Sequence, residues 1–192
     1  MKRKSFLQAC FSSIALMSVP FDIIAKSSLN FREKKGFKVD AGKARFDKSL
    51  PIFEGDTFDG KVSTIDTDGD MYIFESVRTK EGGPAHHYHF SQDEWWYVLQ
   101  GQFLIKIGDT TFEAKAGDSV FGPRMVPHSF AKIGEGEGKL LMVFQPAGKM
   151  EECFQKISSG AVSKLTEEER DKFCIEHGFK RVGPPIKNQQ KW

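Results

Sequence analysis

Three histidines and one glutamate carry the chemistry most readily read from this chain. His87 and His89 sit one residue apart in Ala85-His86-His87-Tyr88-His89. On a β-strand, residues two apart point to the same face, so the two imidazoles can meet at one point. Glu94 lies an odd number of residues beyond His89, and one unbroken strand would send it to the opposite face. Ser91-Gln92-Asp93 reads as a turn, and a second strand starting at Glu94 would bring its carboxylate back. Two imidazoles and a carboxylate form a metal half-site. His128 supplies the rest; it follows Gly117 to Pro127 and opens the strand-like Ser129-Phe130-Ala131-Lys132-Ile133. The expectation is one divalent transition metal on His87, His89, Glu94 and His128, with Fe, Mn, Ni, Cu and Zn all suited to these donors. Four protein ligands leave one or two positions open on a five- or six-coordinate ion. His86 breaks the alternation and is expected to face away. His177, beside the helix-stopping Gly178, reads as a C-terminal capping residue.

Strand parity extends the site to its walls. If Glu94 faces inward, so do Trp96 and Val98, and with His128 goes Phe130. These three are the expected substrate pocket, an aromatic and aliphatic cavity above the metal. Such a cavity favours a flat, apolar molecule with chelating oxygens. No basic cluster is fixed inside by the sequence, which counts against a sugar phosphate.

The two blocks together resemble the paired motifs of the cupin superfamily, G(X)5HXH(X)3-4E(X)6G and G(X)5PXG(X)2H(X)3N. His87, His89, Glu94 and Gly101 match the first, and Gly117, Pro123 and His128 the second. Glu81 holds the slot of the opening glycine, with Gly82 after it. Met125 stands at the inner glycine and Lys132 at the asparagine. None of these departures removes a metal ligand. The resemblance runs from Lys61 to Pro146. It implies an all-β fold, a double-stranded β-helix or jelly-roll barrel, here with short C-terminal helices. The Asp93-Glu94-Trp95-Trp96-Tyr97-Val98 block and the Gly183-Pro184-Pro185 ending are similar to single-domain cupins grouped with quercetin 2,3-dioxygenase. That likeness implies a dioxygenase acting on a flavonol-like or other phenolic small molecule, with dioxygen as co-substrate. The substrate would be chelated to the metal and deprotonated by Glu94. A non-catalytic cupin holding a metal or small ligand, and a cupin isomerase, stand as alternatives, because this barrel serves many chemistries.

Composition sets the frame. The chain has 192 residues and a formal net charge of +2, with the charges dispersed, so nucleic acid is excluded as an expected partner. Phenylalanine and glycine number 18 each, as suits a β core joined by short turns. A homodimer is the expected assembly.

Four segments follow from the order of the chain. Residues 1–25 read as an export signal: Lys2-Arg3-Lys4 is basic, Leu7 to Phe21 mostly apolar, and Ala25 offers a cleavage site. Arg3-Lys4-Ser5-Phe6-Leu7-Gln8 is similar to a twin-arginine motif with lysine second, and a periplasmic destination is expected. The apolar run is too short and interrupted to span a membrane. Leu7-Gln8-Ala9-Cys10 lacks the apolar segment of a lipoprotein signal. Residues 26–60 are a lead-in, with short strands expected at Phe37-Lys38-Val39 and Ala44-Arg45-Phe46 and an irregular Pro51 to Gly60. The barrel takes residues 61–147, with a strand at Lys61 to Ile65 and a hairpin turn at Asp66-Thr67-Asp68-Gly69-Asp70. Residues 148–192 are a helical tail expected on the outside of the barrel. Met150, Phe154 and Ile157 share one helical face, and Thr166 with Glu169 forms a capping box. Cys153 and Cys174 could be joined after export, but each also makes sense on a packing face and reads as a reduced thiol.

Overall fold

A computed structural model describes residues 35–52 and 55–187. The segment read as an export signal and the first part of the lead-in lie outside the described residues. Among the described residues, eleven strands form two antiparallel sheets. The first holds β1 (Ser49–Pro51), β2 (Thr57–Val62), β3 (Tyr72–Arg78), β10 (Gly138–Gln145), β5 (Asp93–Gln100) and β8 (Ser119–Gly122), in that spatial order. The second holds β11 (Phe179–Pro185), β4 (Ala85–His89), β9 (His128–Ile133), β6 (Gln102–Ile107) and β7 (Thr110–Lys115). Two helices, α1 (Met150–Ser158) and α2 (Glu167–Glu176), lie between β10 and β11 in sequence.

Period-two alternation explains the inner faces. Tyr72, Phe74, Ser76 and Arg78 of β3 are buried while their neighbours are not, and Glu94, Trp96 and Val98 of β5 repeat the pattern. Register then stacks them in rows. Tyr72, Phe144, Glu94 and Gly122 are successive partners across four strands, and Phe74, Met142, Trp96 and Val120 form the next row. Ring pairs such as Phe74 with Phe144, 6.1 Å between centroids, fill the space between the sheets.

The lead-in differs from expectation. Phe37-Lys38-Val39 forms no strand, and Arg45–Asp47 is a single 3-10 turn in which Phe46 and Asp47 take positive φ. The cause lies in Arg45. Its guanidinium donates to both carboxylate oxygens of Asp66 at 3.0 and 3.2 Å, and it stacks on the rings of Phe37 and Phe46. Those side-chain contacts curl the segment instead of extending it. The stretch expected to be irregular, Pro51 to Gly60, contains the first four residues of β2, among them Phe58, which is buried in the core. Beyond β2, Thr64–Thr67 is a 3-10 helix rather than strand, because Ser63 and Asp66 close a capping box. It connects β2 to β3 as a longer link than a tight hairpin turn.

The tail differs more. Its last segment is β11, antiparallel to β4, so the tail is not only helical. The helices also do more than pack outside: Met150 belongs to the core and Phe154 and Ile157 pack against it. Glu151 of α1 accepts from the Ser63 hydroxyl and from the Thr64 backbone N–H at 2.8 Å, pinning α1 to the start of that 3-10 helix. The predicted capping box at Thr166 and Glu169 is present. Cys153 and Cys174 are buried free thiols.

Candidate metal centre

The two motif histidines and the glutamate come from different sheets. β4 and β5 are consecutive in the chain, but β4 pairs in the five-stranded sheet and β5 in the six-stranded one. The turn at residues 90–92 is the corner between them. Parity on each strand turns His87, His89 and Glu94 inward. His128 is the register partner of His87 across the β4–β9 contact. One ligand atom from each of the four residues lies within 4.8 Å of the others. His89 and His128 are wholly buried and Glu94 nearly so.

The supporting contacts set which atoms face the centre. His87 Nδ1 lies 2.7 Å from the Ala85 carbonyl oxygen and His128 Nδ1 3.0 Å from that of Val126. Donation to these carbonyls places the proton on Nδ1 and leaves Nε2 as a lone-pair donor. Glu94 Oε2 sits 3.2 Å from His89 Nε2 and 3.1 Å from His128 Nε2. A nitrogen lone pair facing a carboxylate oxygen is repulsive unless a proton or a cation stands between them. Neither ring nitrogen of the buried His89 has a hydrogen-bond partner among the described residues. This donor set fits a metal ion better than it fits itself. The other carboxylate oxygen, Oε1, accepts from the Trp96 indole N–H at 2.9 Å.

Electrostatics agree with that reading. Burial, with His89 and His128 close by, pushes His87 down to about 3 and keeps it neutral, as a metal ligand must be. Burial by itself would raise Glu94. The closeness of His128 and His89, with a proton or a cation between their Nε2 atoms and Oε2, outweighs it and holds the carboxyl well below its usual range.

Above the four residues lies a cavity of about 500 Å³. His87 and Glu94 form part of its floor; Phe130, Phe144 and Met142 form barrel walls, and Phe154 and Phe173 of the two helices form a cover. Of the three expected wall residues, Phe130 lines it. Trp96 and Val98 are fully buried and face inward, but they stand behind the site rather than in the cavity wall. Trp96 touches the His128 and Phe130 rings edge-on, at 5.3 and 6.1 Å. His86 is not one of the clustered ligands. His177 caps α2, its Nδ1 2.7 Å from the Phe173 carbonyl oxygen.

Among the wall residues that were not anticipated, Phe179 and Arg78 bear most on the site. Phe179 of β11 lies against the rings of His87 and His89 at 5.6 and 5.5 Å. The alternation of Phe179 and Arg181 ahead of Gly183-Pro184-Pro185 was its only signal. Arg78 is buried in the wall and paired with Asp56 at 2.9 Å. Its inward position followed from the alternation of β3, but its partner lies in the stretch read as irregular.

Residues 73–144 match the family model described as the cupin domain. The barrel is a cupin. The match covers β3 to β10 and therefore all four clustered residues. Among curated proteins, the chain is 33% identical over 60 residues to an uncharacterized protein of Methanocaldococcus jannaschii, which is 31% of this chain and 48% of that one. The chain thus spans about half the length of that relative. Two solved structures are similar to it. An RmlC-like cupin from Shewanella frigidimarina gives a TM-score of 0.49 at 19% identity, covering 62% of this chain and 98% of that one. KdgF from a Halomonas species gives 0.48 at 18% identity, covering 58% and 94%. No helix among the described residues of this cupin is long and apolar enough to cross a membrane.

Proposed function

We propose that this cupin is a metal-dependent dioxygenase acting on a flavonol-like or other phenolic small molecule. The observation that carries the reading is the buried His87, His89, Glu94 and His128 set opening onto an apolar cavity of about 500 Å³. Three neutral imidazoles and one carboxylate would hold an Fe, Mn, Ni, Cu or Zn ion. Such an ion would supply Lewis acidity toward a chelating hydroxyl and ketone, and, if redox-active, reactivity toward dioxygen. The rest falls to the chain. Phe130, Phe144 and Phe179 would clamp a flat ring system and exclude water. The Glu94 carboxylate would take the phenolic proton, held in place through Oε1 by the Trp96 N–H. The test is dioxygen uptake with a flavonol panel on protein loaded in turn with each metal. Uptake with none of them would defeat the proposal.

The second reading is a cupin that binds metal and a small molecule without turning it over. It is favoured by one observation: Glu94 Oε2 already lies 3.2 Å from His89 Nε2 and 3.1 Å from His128 Nε2, contacts that oppose its taking a substrate proton. Retention of a phenolic compound without dioxygen uptake or product would establish it.

The proposed homodimer has its own support. Ile73, Val143, Trp95 and Phe121 are register partners across β3, β10, β5 and β8 and lie on the outward face, with Phe121 56% exposed. Sedimentation of wild type against Trp95→Glu tests it: a dimer should become a monomer, and a monomeric wild type would remove the proposal. Export is tested by the N-terminus of the protein recovered from its native host, which should begin near Lys26.

A further inference from the structure

Among the described residues, Arg78 is the cation that the six-stranded sheet places in the cavity wall. It ends β3, is 5% exposed, and lines the same cavity as His87 and Glu94. Arg170 and Arg181 also line it, from the cover and from β11, but Arg181 is spent on Glu167 and Asp171 of α2 at 2.9 and 2.8 Å. Arg78 is only half spent. One terminal nitrogen pairs with Asp56 Oδ2 at 2.9 Å, and Asp56 Oδ1 turns away to accept the Thr79 backbone N–H at 3.2 Å. The Arg78 Nε–H is buried with no acceptor among the described residues. A buried guanidinium N–H left unpaired is costly, and a carboxylate is its natural partner.

The surroundings fix the sign of that partner. Gly138 is the register partner of Arg78, and a Cβ there would meet Lys132 Cγ at 2.8 Å. Lys132 is likewise buried, its ammonium given to the Gly134 carbonyl oxygen. Lys132 thus passes Gly138 with its ammonium already engaged, and Arg78 is left as the cation at this end with an unmet donor, which favours an anionic partner. Phe130 links this end of the cavity to the metal end. The Arg78 guanidinium carbon is 5.1 Å from the Phe130 ring centroid, and Phe130 is one same-face step, about 7 Å, along β9 from His128.

We propose that Arg78 recognises a carboxylate on the substrate, so that the natural substrate is an aromatic acid with its chelating oxygens and its acid group at opposite ends. This rests on the reading that the cavity takes the substrate, and it narrows that substrate from neutral flavonols to acids. A structural pin between β3 and Asp56 would look the same at rest but would not distinguish an acid from its ester.

The experiment measures that distinction. Dihydrocaffeic acid and its methyl ester share a catechol and differ only in the distal charge. Their affinities are measured by tryptophan fluorescence under argon, on zinc-loaded and on chelator-treated protein. The acid should bind wild type at least about 10-fold more tightly than the ester in both forms, the scale of a hydrogen bond to a charged group. Arg78→Met should bring the ratio near one, and Arg78→Lys should restore part of it. Because Arg78→Met leaves Asp56 unpaired, the double variant Arg78→Met with Asp56→Asn is measured as well and should behave alike. A wild-type ratio near one, a ratio that survives in the double variant, or no binding of either compound would overturn the proposal. Dioxygen uptake is read separately: an Arg78-dependent ratio without uptake sinks the dioxygenase reading and leaves this one standing.

Discussion

Glu94 faces two demands that one substitution separates. As a ligand it must stay ionised, and its contacts with His128 and His89 ensure that. As a base it must accept a proton, which the same contacts oppose. Proton transfer therefore needs a substrate hydroxyl already acidified by chelation. Glu94→Gln keeps an oxygen donor and loses the proton acceptor. It should retain most of the metal by elemental analysis while dioxygen uptake falls by roughly 100-fold or more; near-full uptake would remove Glu94 as the base. His89→Ala and His128→Ala should instead lose metal sharply and keep the circular dichroism of the parent, and unchanged stoichiometry in both would end the four-ligand reading. The same residues set a pH dependence. His87 is pushed from 6.5 to about 3, so in that window the unfolded chain binds a proton that the folded chain refuses. The resulting stability is whole above pH 6.5 and is lost as pH falls toward 3. Glu94 acts in the same direction below its ordinary 4.5, staying ionised in the folded state after the unfolded carboxyl has protonated. Metal-free protein should therefore melt at progressively lower temperature from about pH 7 down to about pH 4, and a flat profile would contradict this assignment.

At the scale of elements, β8 positions β5. Gly122 is the register partner of Glu94. A Cβ on it would stand 2.7 Å from Trp96 Cη2 and 3.2 Å from His128 Nδ1. Gly122→Ala therefore presses one methyl against the candidate ligand His128 and against the indole that steadies Glu94. Overpacking of this kind costs about 1–3 kcal/mol, and zinc affinity should fall with it, read by thermal melting and by zinc titration. A stability loss with unchanged zinc affinity would mean that Trp96 yields without carrying Glu94. The spacing that made this geometry readable in advance is local: His87 and His89 on one strand, a corner, Glu94 on the next. Inward parity of Trp96, Val98 and Phe130 was readable for the same reason, since alternation is a property of a single strand. Which inward residue faces open space is not. Trp96 and Val98 are covered by partners brought from other strands, and only Phe130 reaches the cavity. β11 was hidden because its pairing with β4 shifts register twice and ends in prolines. Arg78 was hidden because its meaning depends on Asp56, 22 residues earlier and on no regular element.

The described residues form a barrel whose cover belongs to its core. The helical face of Met150, Phe154 and Ile157 was legible, but what it meets was not, because an amphipathic stripe names no partner. Phe154 decides the matter. Its ring lies 4.9 Å from Phe58, 5.2 Å from Phe74 and 6.1 Å from Phe144, centroid to centroid. Those three are buried barrel residues, so α1 closes the cavity rather than resting on the outer surface. Removing a buried phenylalanine costs about 3–5 kcal/mol. Phe154 is partly exposed, so Phe154→Ala should cost about 2–3 kcal/mol in urea unfolding. A helix merely laid on the outside would lose less than about 1 kcal/mol, the range of ordinary surface changes. The site should respond unevenly. None of the four clustered residues lies on α1, so zinc content should hold, while affinity for an aromatic probe in the widened cavity should drop several-fold. Loss of zinc in step with loss of the aromatic probe would show instead that the cover and the metal-bearing strands unfold together, and that the four residues owe their convergence to α1 as much as to β4, β5 and β9.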